Sequence, residues 1–489
     1  MLATRLLPYQ VEFVLLSFEG PDPYSKAGGL GVRITNIAHF LSSLGFQTHL
    51  LFIGAPDHPG LEEQLNGRLK LYRWCQWISR YHPWGVYDGE EGKLADFNRS
   101  APPFIIEHIA RPAIRQGRHI IVLAEEWQTA EALIQLSDQL HIEGLRPFST
   151  LLWNANNTKG FERIDWNRLN FVATVTTVSR YMKQIMRAYG LDPLIIPNGI
   201  PSELLQPPPT AAIRQVRQKL ANNEALLLFK VGRYDPDKCW LSAIEAAAQL
   251  KQAGQAIHFL CRGGIEGYES EVFQYARELG LIVKDVEGYP ETWSEALEAI
   301  EGAGPADVYN VRFRMSQSML HVFYAAADFV LANSKHEPFG LVGLEAMAAG
   351  GVVFTGPTGE TYSSDGEGAI ALDTEQPGEL VINIESLCNH PEKAQAIRLT
   401  APTVAARYTW ENVISVLFEK ITLAAHYQNT EPFFSTSLDQ PEPVQDEVIH
   451  TFIRKPHRTK LPAWLLPASH TQIVIPESAG VPLSPGQHP

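Results

Sequence analysis

The sequence predicts an α/β chain of two domains, each a doubly wound sheet with helices on both faces, and three observations predict it. The 489 residues exceed one ordinary domain and suit two of about 200 residues each. Short apolar runs alternate with segments of helical spacing through both halves, the pattern of successive strand-helix-strand units. Hydrophobic residues make up 45% of the chain, enough for two cores and too evenly spread for a membrane span.

Charge and cysteine usage narrow the function class. A formal net charge of −14 argues against nucleic acid as a partner, because binding to its backbone rests on Lys and Arg. Cys75, Cys239, Cys261 and Cys388 are far apart and form no C-x-x-C pair. The N-terminus lacks the apolar core and small-residue cleavage site of a signal peptide. Reduced thiols, a cytoplasmic location and no transmembrane segment are the resulting expectations.

In the first half, residues 11–18 read as a strand buried on both faces. The loop 19–31 follows, and a helix is expected from about Arg33, with Ile34, Ile37, Ala38, Leu41 and Leu44 at helical spacing. Residues 49–53 give the next strand. Glycines between strand and helix admit a phosphate to backbone amides, although a tight structural turn needs them equally, and G-x-G-x-x-G is absent. Trp74, Trp77, Tyr81, Trp84 and Tyr87 suit stacking on a sugar acceptor, rest on a membrane surface, or line a core or crevice. Residues 119–124 form another buried strand running into Glu125-Glu126-Trp127. The prolines of 201–210 read as a linker.

In the second half, residues 226–231 form a strand that runs into Gly232-Arg233-Tyr234-Asp235-Pro236-Asp237-Lys238, and a helix spans 240–252. Arg233 supplies a fork of donors and Lys238 a point charge, a pair able to embrace a diphosphate or to sit solvated at a strand end. Asp235 and Asp237 have D-x-D spacing, read here as a turn, and no His/Cys/Asp cluster elsewhere has metal-ligand spacing. Alternation continues through 256–260, a helix from Glu269, 282–286 and a helix over 319–327. Then comes Ser334-Lys335-His336-Glu337-Pro338-Phe339-Gly340-Leu341-Val342-Gly343-Leu344-Glu345, between apolar runs 329–332 and 352–354. Pro338 and Gly340 delay the helix until about Leu341, and Gly350-Gly351 end it. The N–H groups of Gly340, Leu341 and Val342 then point out of the helix N-terminus, where an anion binds well. Glu337 stands ahead of that terminus and Glu345 about one turn inside it. The same glycines and a capping Glu also suit a plain buried turn. A helix is expected over 410–424, and the proline-rich residues 428–489, with an apolar patch at 462–467, read as a mostly irregular tail.

Glu337 and Glu345, seven residues apart within EPFGLVGLEAMAAG, resemble the E-x7-E signature of retaining GT-B glycosyltransferases, the clan of glycogen, starch and sucrose synthases. Lys26-Ala27-Gly28-Gly29-Leu30 is similar to that clan's K-x-G-G-L loop, and Arg233 with Lys238 to its G-R-x-x-x-x-K motif. Residues 172–181 and Ile196-Pro197-Asn198-Gly199-Ile200 resemble its T-V-S…I-P-N-G-I pattern. Glu125-Glu126-Trp127-Gln128-Thr129 departs from its H-D-W-H-T segment, with Glu125 in the place of a histidine, and Trp153 replaces a second histidine.

The resemblance implies a GT-B fold of two Rossmann-like domains facing a cleft. Residues 1–205 would form the acceptor domain, 206–404 the donor domain, and 405–427 a helix crossing back to the first. It implies retaining transfer of a hexose, glucose by preference, from a nucleotide-sugar co-substrate to a carbohydrate or small hydroxyl acceptor, without metal or cofactor. Glu337, Glu125, Lys238 and Arg233 are the implied catalytic set. Lys26, Gly28, Gly29, Arg233, Lys238, Phe339, Gly340, Leu341, Val342 and Glu345 are the implied donor contacts. Glu125 is expected against the donor sugar, or else turned away to cap a helix, leaving Glu126 or Trp153 there. A non-catalytic sugar-nucleotide sensor or scaffold and a nucleotide-sugar epimerase are the alternatives.

Overall fold

The computed structural model describes residues 6–221, 225–264, 266–358, 362–363 and 368–430. Of the tail expected over 428–489, residues 431–489 with the 462–467 patch lie outside them.

Eight strands form the first sheet: β1 (Val11–Leu16), β2 (Gln47–Ile53), β3 (Leu61–Gln64), β4 (Leu69–Trp74), β5 (His119–Glu125), β6 (Ser149–Ala155), β7 (Thr174–Thr177) and β8 (Leu194–Ile195). Their spatial order is β3-β4-β2-β1-β5-β6-β7-β8, and every pairing is parallel except β3 with β4. The second sheet holds β9 (Leu226–Val231), β10 (Ile257–Arg262), β11 (Val283–Val286), β12 (Val308–Val311), β13 (Phe329–Ala332), β14 (Val353–Thr355) and β15 (Ile370–Ala371). Its order is β11-β12-β10-β9-β13-β14-β15, all parallel.

Burial on both faces explains why the parallel strands read as continuous apolar runs. Along β1, Phe13 and Leu15 face one core, with Ile34, Ile37 and Leu41 of the helix Gly29–Ser43. Val14 and Leu16 face the other, with Phe97 and Ile105. In β9, Leu228 meets Trp240 and Ile244, while Leu227 and Phe229 point to the opposite layer. Each fully buried Leu or Phe contributes roughly 1.5–3 kcal/mol.

The two sheets are joined through their last helix. Trp410–Tyr427 lays Val413, Ile414, Leu417 and Ile421 on the face of the first sheet that holds Phe13 and Leu15, beside the helix Gly29–Ser43 and over β6. Gly199 lies under the Trp410 ring, where an added Cβ would come within 2.7 Å. The first helix starts at Gly29, four residues before the expected Arg33. A carboxylate described below replaces the missing partners of its first turn.

In each sheet the chain reverses its winding direction at a central strand. In the second sheet that strand is β9, flanked by β10 and β13. Ligands of open α/β sheets bind beyond the strand C-termini at such a switch point. The loops leaving β9 and β13 carry Arg233, Lys238 and Glu337.

Candidate donor site at the switch point of the second sheet

After β9, a turn at Pro236–Lys238 is capped by Asp235, whose carboxylate accepts the Asp237 N–H at 3.0 Å. The D-x-D aspartates are thus turn residues. Among the described residues no group of three His, Cys, Asp or Glu side chains could hold a metal ion. Trp240 donates its indole N–H to the Arg233 carbonyl at 2.7 Å, fixing the backbone there and leaving the exposed guanidinium without an ion-pair partner among the described residues.

After β13, the chain passes Asn333 and Ser334 and approaches Gly356 so closely that a Cβ there would overlap the Ser334 carbonyl. The Lys335 N–H donates to the Asp237 carbonyl at 2.7 Å, tying this loop to the one after β9. The helix Leu341–Ala348 opens at Gly340, which is left-handed at φ 83°, ψ 62° and so favours glycine. Glu337 and Lys238, predicted from separate motifs, form an ion pair of 2.5 Å with both side chains about one-fifth exposed. They line a small cavity of about 40 Å³ together with Gly232, Ser334, Gly340 and Val342. Leu341 is half-buried on the same opening turn.

Phe339 requires a correction. Its ring is buried, 5.9 Å from both Tyr362 and Tyr408, so it anchors the loop to the core and is not presented to a donor. Glu345 sits one turn inside the helix, half-buried and with no ion-pair partner among the described residues, and burial pushes its pKa up to about 7. Among the described residues the buried Tyr324 hydroxyl and the Arg262 Nε have no hydrogen-bond partner, and both groups stand within electrostatic reach of one another. Glu345 also raises the Tyr324 pKa. This is a polar corner suited to hydroxyl groups.

The first sheet offers a different picture from the one expected. Glu19, in the loop that leaves β1, is buried. Its Oε2 accepts the N–H groups of Ala27 (3.2 Å), Gly28 (2.9 Å) and Gly31 (2.9 Å), and its Oε1 accepts the Tyr87 hydroxyl at 2.7 Å. The Gly28 amide is therefore committed to Glu19, which corrects its assignment to a donor phosphate. An acid facing the first N–H groups of a helix is favourable, and it explains the early helix start. Lys26 and Gly29 are exposed, and a Cβ on Gly29 would meet nothing within 4 Å. Among the described residues no hydrogen bond or ion pair joins Lys26, Gly28 or Gly29 to Lys238 or Glu337. The two halves do meet beside the site, where the Tyr181 hydroxyl lies 3.0 Å from His336 Nδ1.

Glu125 is the third correction. It ends β5 with 2% exposure, and its Oε1 accepts from Arg33 Nε at 3.1 Å. Its Oε2 accepts from the side-chain amides of Asn154 (2.8 Å) and Asn156 (2.7 Å). Arg33 in turn donates to the Pro197 carbonyl and to Asn198 Oδ1. A carboxylate with both oxygens engaged and a buried guanidinium beside it joins the first helix to β5, β6 and the Ile196–Asn198 segment, and does not face a donor sugar. Neither expected position for Glu125 holds, since it caps no helix. Trp153 is fully buried and donates to the Glu126 carbonyl at 2.9 Å. Of the aromatics, Trp74 and Tyr87 are half-buried, whereas Trp77, Tyr81 and Trp84 are exposed.

Glu126 adopts φ 69°, uncommon for a non-glycine residue, and accepts the Asn156 N–H at 2.6 Å. Burial pushes its pKa up to about 8 from an ordinary 4.5. The folded protein thus keeps a proton that the unfolded chain releases, so stability falls as pH rises through this window, by at most about 1.4 kcal/mol per pH unit. Glu126→Gln, which keeps the Oε1 acceptor, is expected to flatten that dependence. Urea midpoints compared at about pH 5.5 and about pH 8 check it.

Residues 212–403 match the family model described as Glycosyl transferases group 1. A D-inositol 3-phosphate glycosyltransferase of Thermobispora bispora is 27% identical over 428 residues, covering 81% of this chain and 90% of that protein. The chain spans only about half the length of another relative of that name, from Geodermatophilus obscurus, at 28% identity over 249 residues. Sucrose-phosphate synthase from Thermosynechococcus elongatus shares the fold at TM-score 0.61 and 18% identity, over 86% of this chain and 100% of that chain. Anabaena HepE, in complex with UDP and glucose, does so at TM-score 0.56 and 16% identity, over 85% and 100%. No helix among the described residues is long and apolar enough to cross a membrane. The chain therefore carries a group 1 glycosyltransferase domain at residues 212–403, within an α/β architecture of the GT-B type.

Proposed function

We propose that the protein transfers a hexose, glucose by preference, from a nucleotide diphosphate sugar to a hydroxyl acceptor, with retention and without a metal ion. One observation carries this reading: Lys238 and Glu337 meet at the C-terminal edge of the switch-point strand, in front of a helix N-terminus, inside a group 1 glycosyltransferase domain. That a fold relative, Anabaena HepE, is known in complex with UDP and glucose supports the donor class.

In this mechanism the bond between the anomeric carbon and the diphosphate oxygen breaks as the acceptor oxygen attacks from the same face. The acceptor proton passes to the departing diphosphate. Negative charge grows on that diphosphate, so fixed cations and amide dipoles aimed at it lower the barrier. Lys238, Arg233, the N–H groups at Gly340, Leu341 and Val342, and Lys26 from the facing half fill this role. Glu337 accepts sugar hydroxyls once the diphosphate draws Lys238 away, and Glu345 accepts the ribose hydroxyls. Ribose donation favours the ionised form of Glu345, so its pKa falls on binding.

A second reading, a non-catalytic sugar-nucleotide sensor, draws on the occupation of the clan's histidine position by Glu125, which is engaged with Arg33. A thermal-shift screen of UDP-, ADP- and GDP-hexoses, followed by turnover assays in excess EDTA, tests the proposal. A donor that raises the melting temperature by mass action and is turned over despite chelation is the expected result. Activity abolished by EDTA and restored by Mn²⁺ or Mg²⁺ would contradict the metal-free mechanism.

A further inference from the structure

Lys230 lies in the middle of the site and no motif accounts for it. It is the fifth residue of β9, in the apolar run Leu226-Leu227-Leu228-Phe229-Lys230-Val231, and is 2% exposed. Its ammonium crosses to the end of β13, donating to the Leu331 carbonyl at 3.2 Å and to Asn333 Oδ1 at 2.5 Å. It also lies 5.2 Å from the centre of the Trp240 ring. Among the described residues no carboxylate pairs with it, and the nearby Glu337 is bonded to Lys238.

Two readings of this lysine differ in what they require. A purely structural staple would hold the end of β13 against β9, whose ladder stops at Val330 opposite Phe229. A neutral donor would serve that purpose without the cost of burying a charge, which is severe for an ammonium lacking a counter-ion. Lys230 is also placed where an anion would repay that cost, because it lines the same small cavity as Lys238, Glu337 and Gly340.

We propose that Lys230 is a third cation of the donor site, seated beneath the diphosphate and completed as an ion pair only when the nucleotide binds. This rests on the donor reading above and adds a residue to it. Burial lowers the Lys230 pKa to about 7 in the free protein, with Lys238 lowering it further and Glu337 opposing the shift, while the thiols of Cys239 and of Cys261 in β10, both pushed up by burial, also face it. A bound diphosphate restores the charged form, since a neighbouring anion favours the ammonium. Nucleotide binding above neutral pH is then coupled to proton uptake. In the window between the free and the bound pKa, affinity weakens as pH rises, by up to tenfold per pH unit.

The test uses the full chain and calorimetric binding of UDP, with ADP and GDP as alternative probes. Measurement at about pH 8.5, in two buffers of different ionisation enthalpy, keeps the nucleotide's own phosphate ionised throughout. The wild type is expected to take up a sizeable fraction of a proton per nucleotide bound. Lys230→Met is expected to weaken binding about tenfold or more near neutral pH and to abolish the uptake. A lowered melting temperature with unchanged affinity and pH profile would leave Lys230 a structural staple and overturn the proposal. Should Lys230→Met fail to fold, the wild-type measurement decides, because binding without proton uptake overturns the proposal by itself. Binding of none of the three nucleotides by wild type would instead defeat the donor reading, and this inference with it.

Discussion

Lys238→Ala is expected to lower hexose transfer by about 10²-fold or more, and Arg233→Ala by a similar factor. The two cations reach the cleft by different routes. Lys238 is held ready by Glu337 at 2.5 Å, whereas Arg233 is exposed, its carbonyl anchored by Trp240 and its guanidinium without an ion-pair partner among the described residues. In the proposed mechanism an arriving diphosphate takes Lys238 from Glu337, and the exchange frees Glu337 for the sugar. Because the contacts strengthen as the leaving group departs, the loss should appear in kcat as well as in kcat/KM. Both variants should stay folded, since a partly exposed ion pair contributes only about 0–1 kcal/mol. Steady-state kinetics with circular dichroism as a folding control checks this, and near-normal transfer in both variants would remove the pair from the mechanism.

The largest stability effect is expected at Glu125. Removing one partner of a buried ion pair leaves the other uncompensated, and Glu125→Ala should destabilise the fold by about 3–5 kcal/mol. Arg33→Met should cost a comparable amount, and the double variant less than the sum of the two, because it leaves neither charge buried alone. Urea unfolding of all four proteins measures the coupling. Residual activity in Glu125→Ala should fall equally for a neutral hexose donor and the corresponding uronate, since the carboxylate contacts Arg33, Asn154 and Asn156. A selective change between those donors would return Glu125 to the sugar.

Legibility in the sequence followed the physics of each segment. The strand Leu226–Val231 and the helices beginning at Trp240, Glu269 and Leu341 were readable because a doubly buried strand leaves an apolar run and a packed helix leaves a 3.6-residue period. The β3–β4 pair was hidden because its edge strand, Leu-Glu-Glu-Gln, is polar and exposed. The helix Glu90–Ile105 carries Pro102 and Pro103, which argue for a break. In the structure the chain continues through them into a π-helical turn at Ile106–Ala110. The helix Thr210–Leu220 begins directly behind three prolines that suggested a linker, since proline is tolerated at a helix start.

At the candidate site, the positions of residues set by a backbone turn were legible and those set by burial were not. Arg233, Lys238, Glu337, Gly340 and Glu345 stand at fixed offsets from strand ends and glycines. Glu125 stood at the right offset too, yet its fate was decided by Arg33, 92 residues away in sequence. Glu19 carried a signal that could have been read: an acid at a strand end ahead of a glycine-rich helix start. Lys230 carried only the oddity of a charge in an apolar run, and three-dimensional proximity to Asn333 gives it meaning.

The most direct test of the central claim is product analysis with a panel of UDP-, ADP- and GDP-hexoses and hydroxyl acceptors, read by mass spectrometry and by NMR of the anomeric centre. The account predicts release of free nucleoside diphosphate matched by a new glycoside whose anomeric configuration equals that of the donor. An inverted glycoside, an isomerised nucleotide sugar, or tight donor binding with no turnover on any acceptor would contradict it.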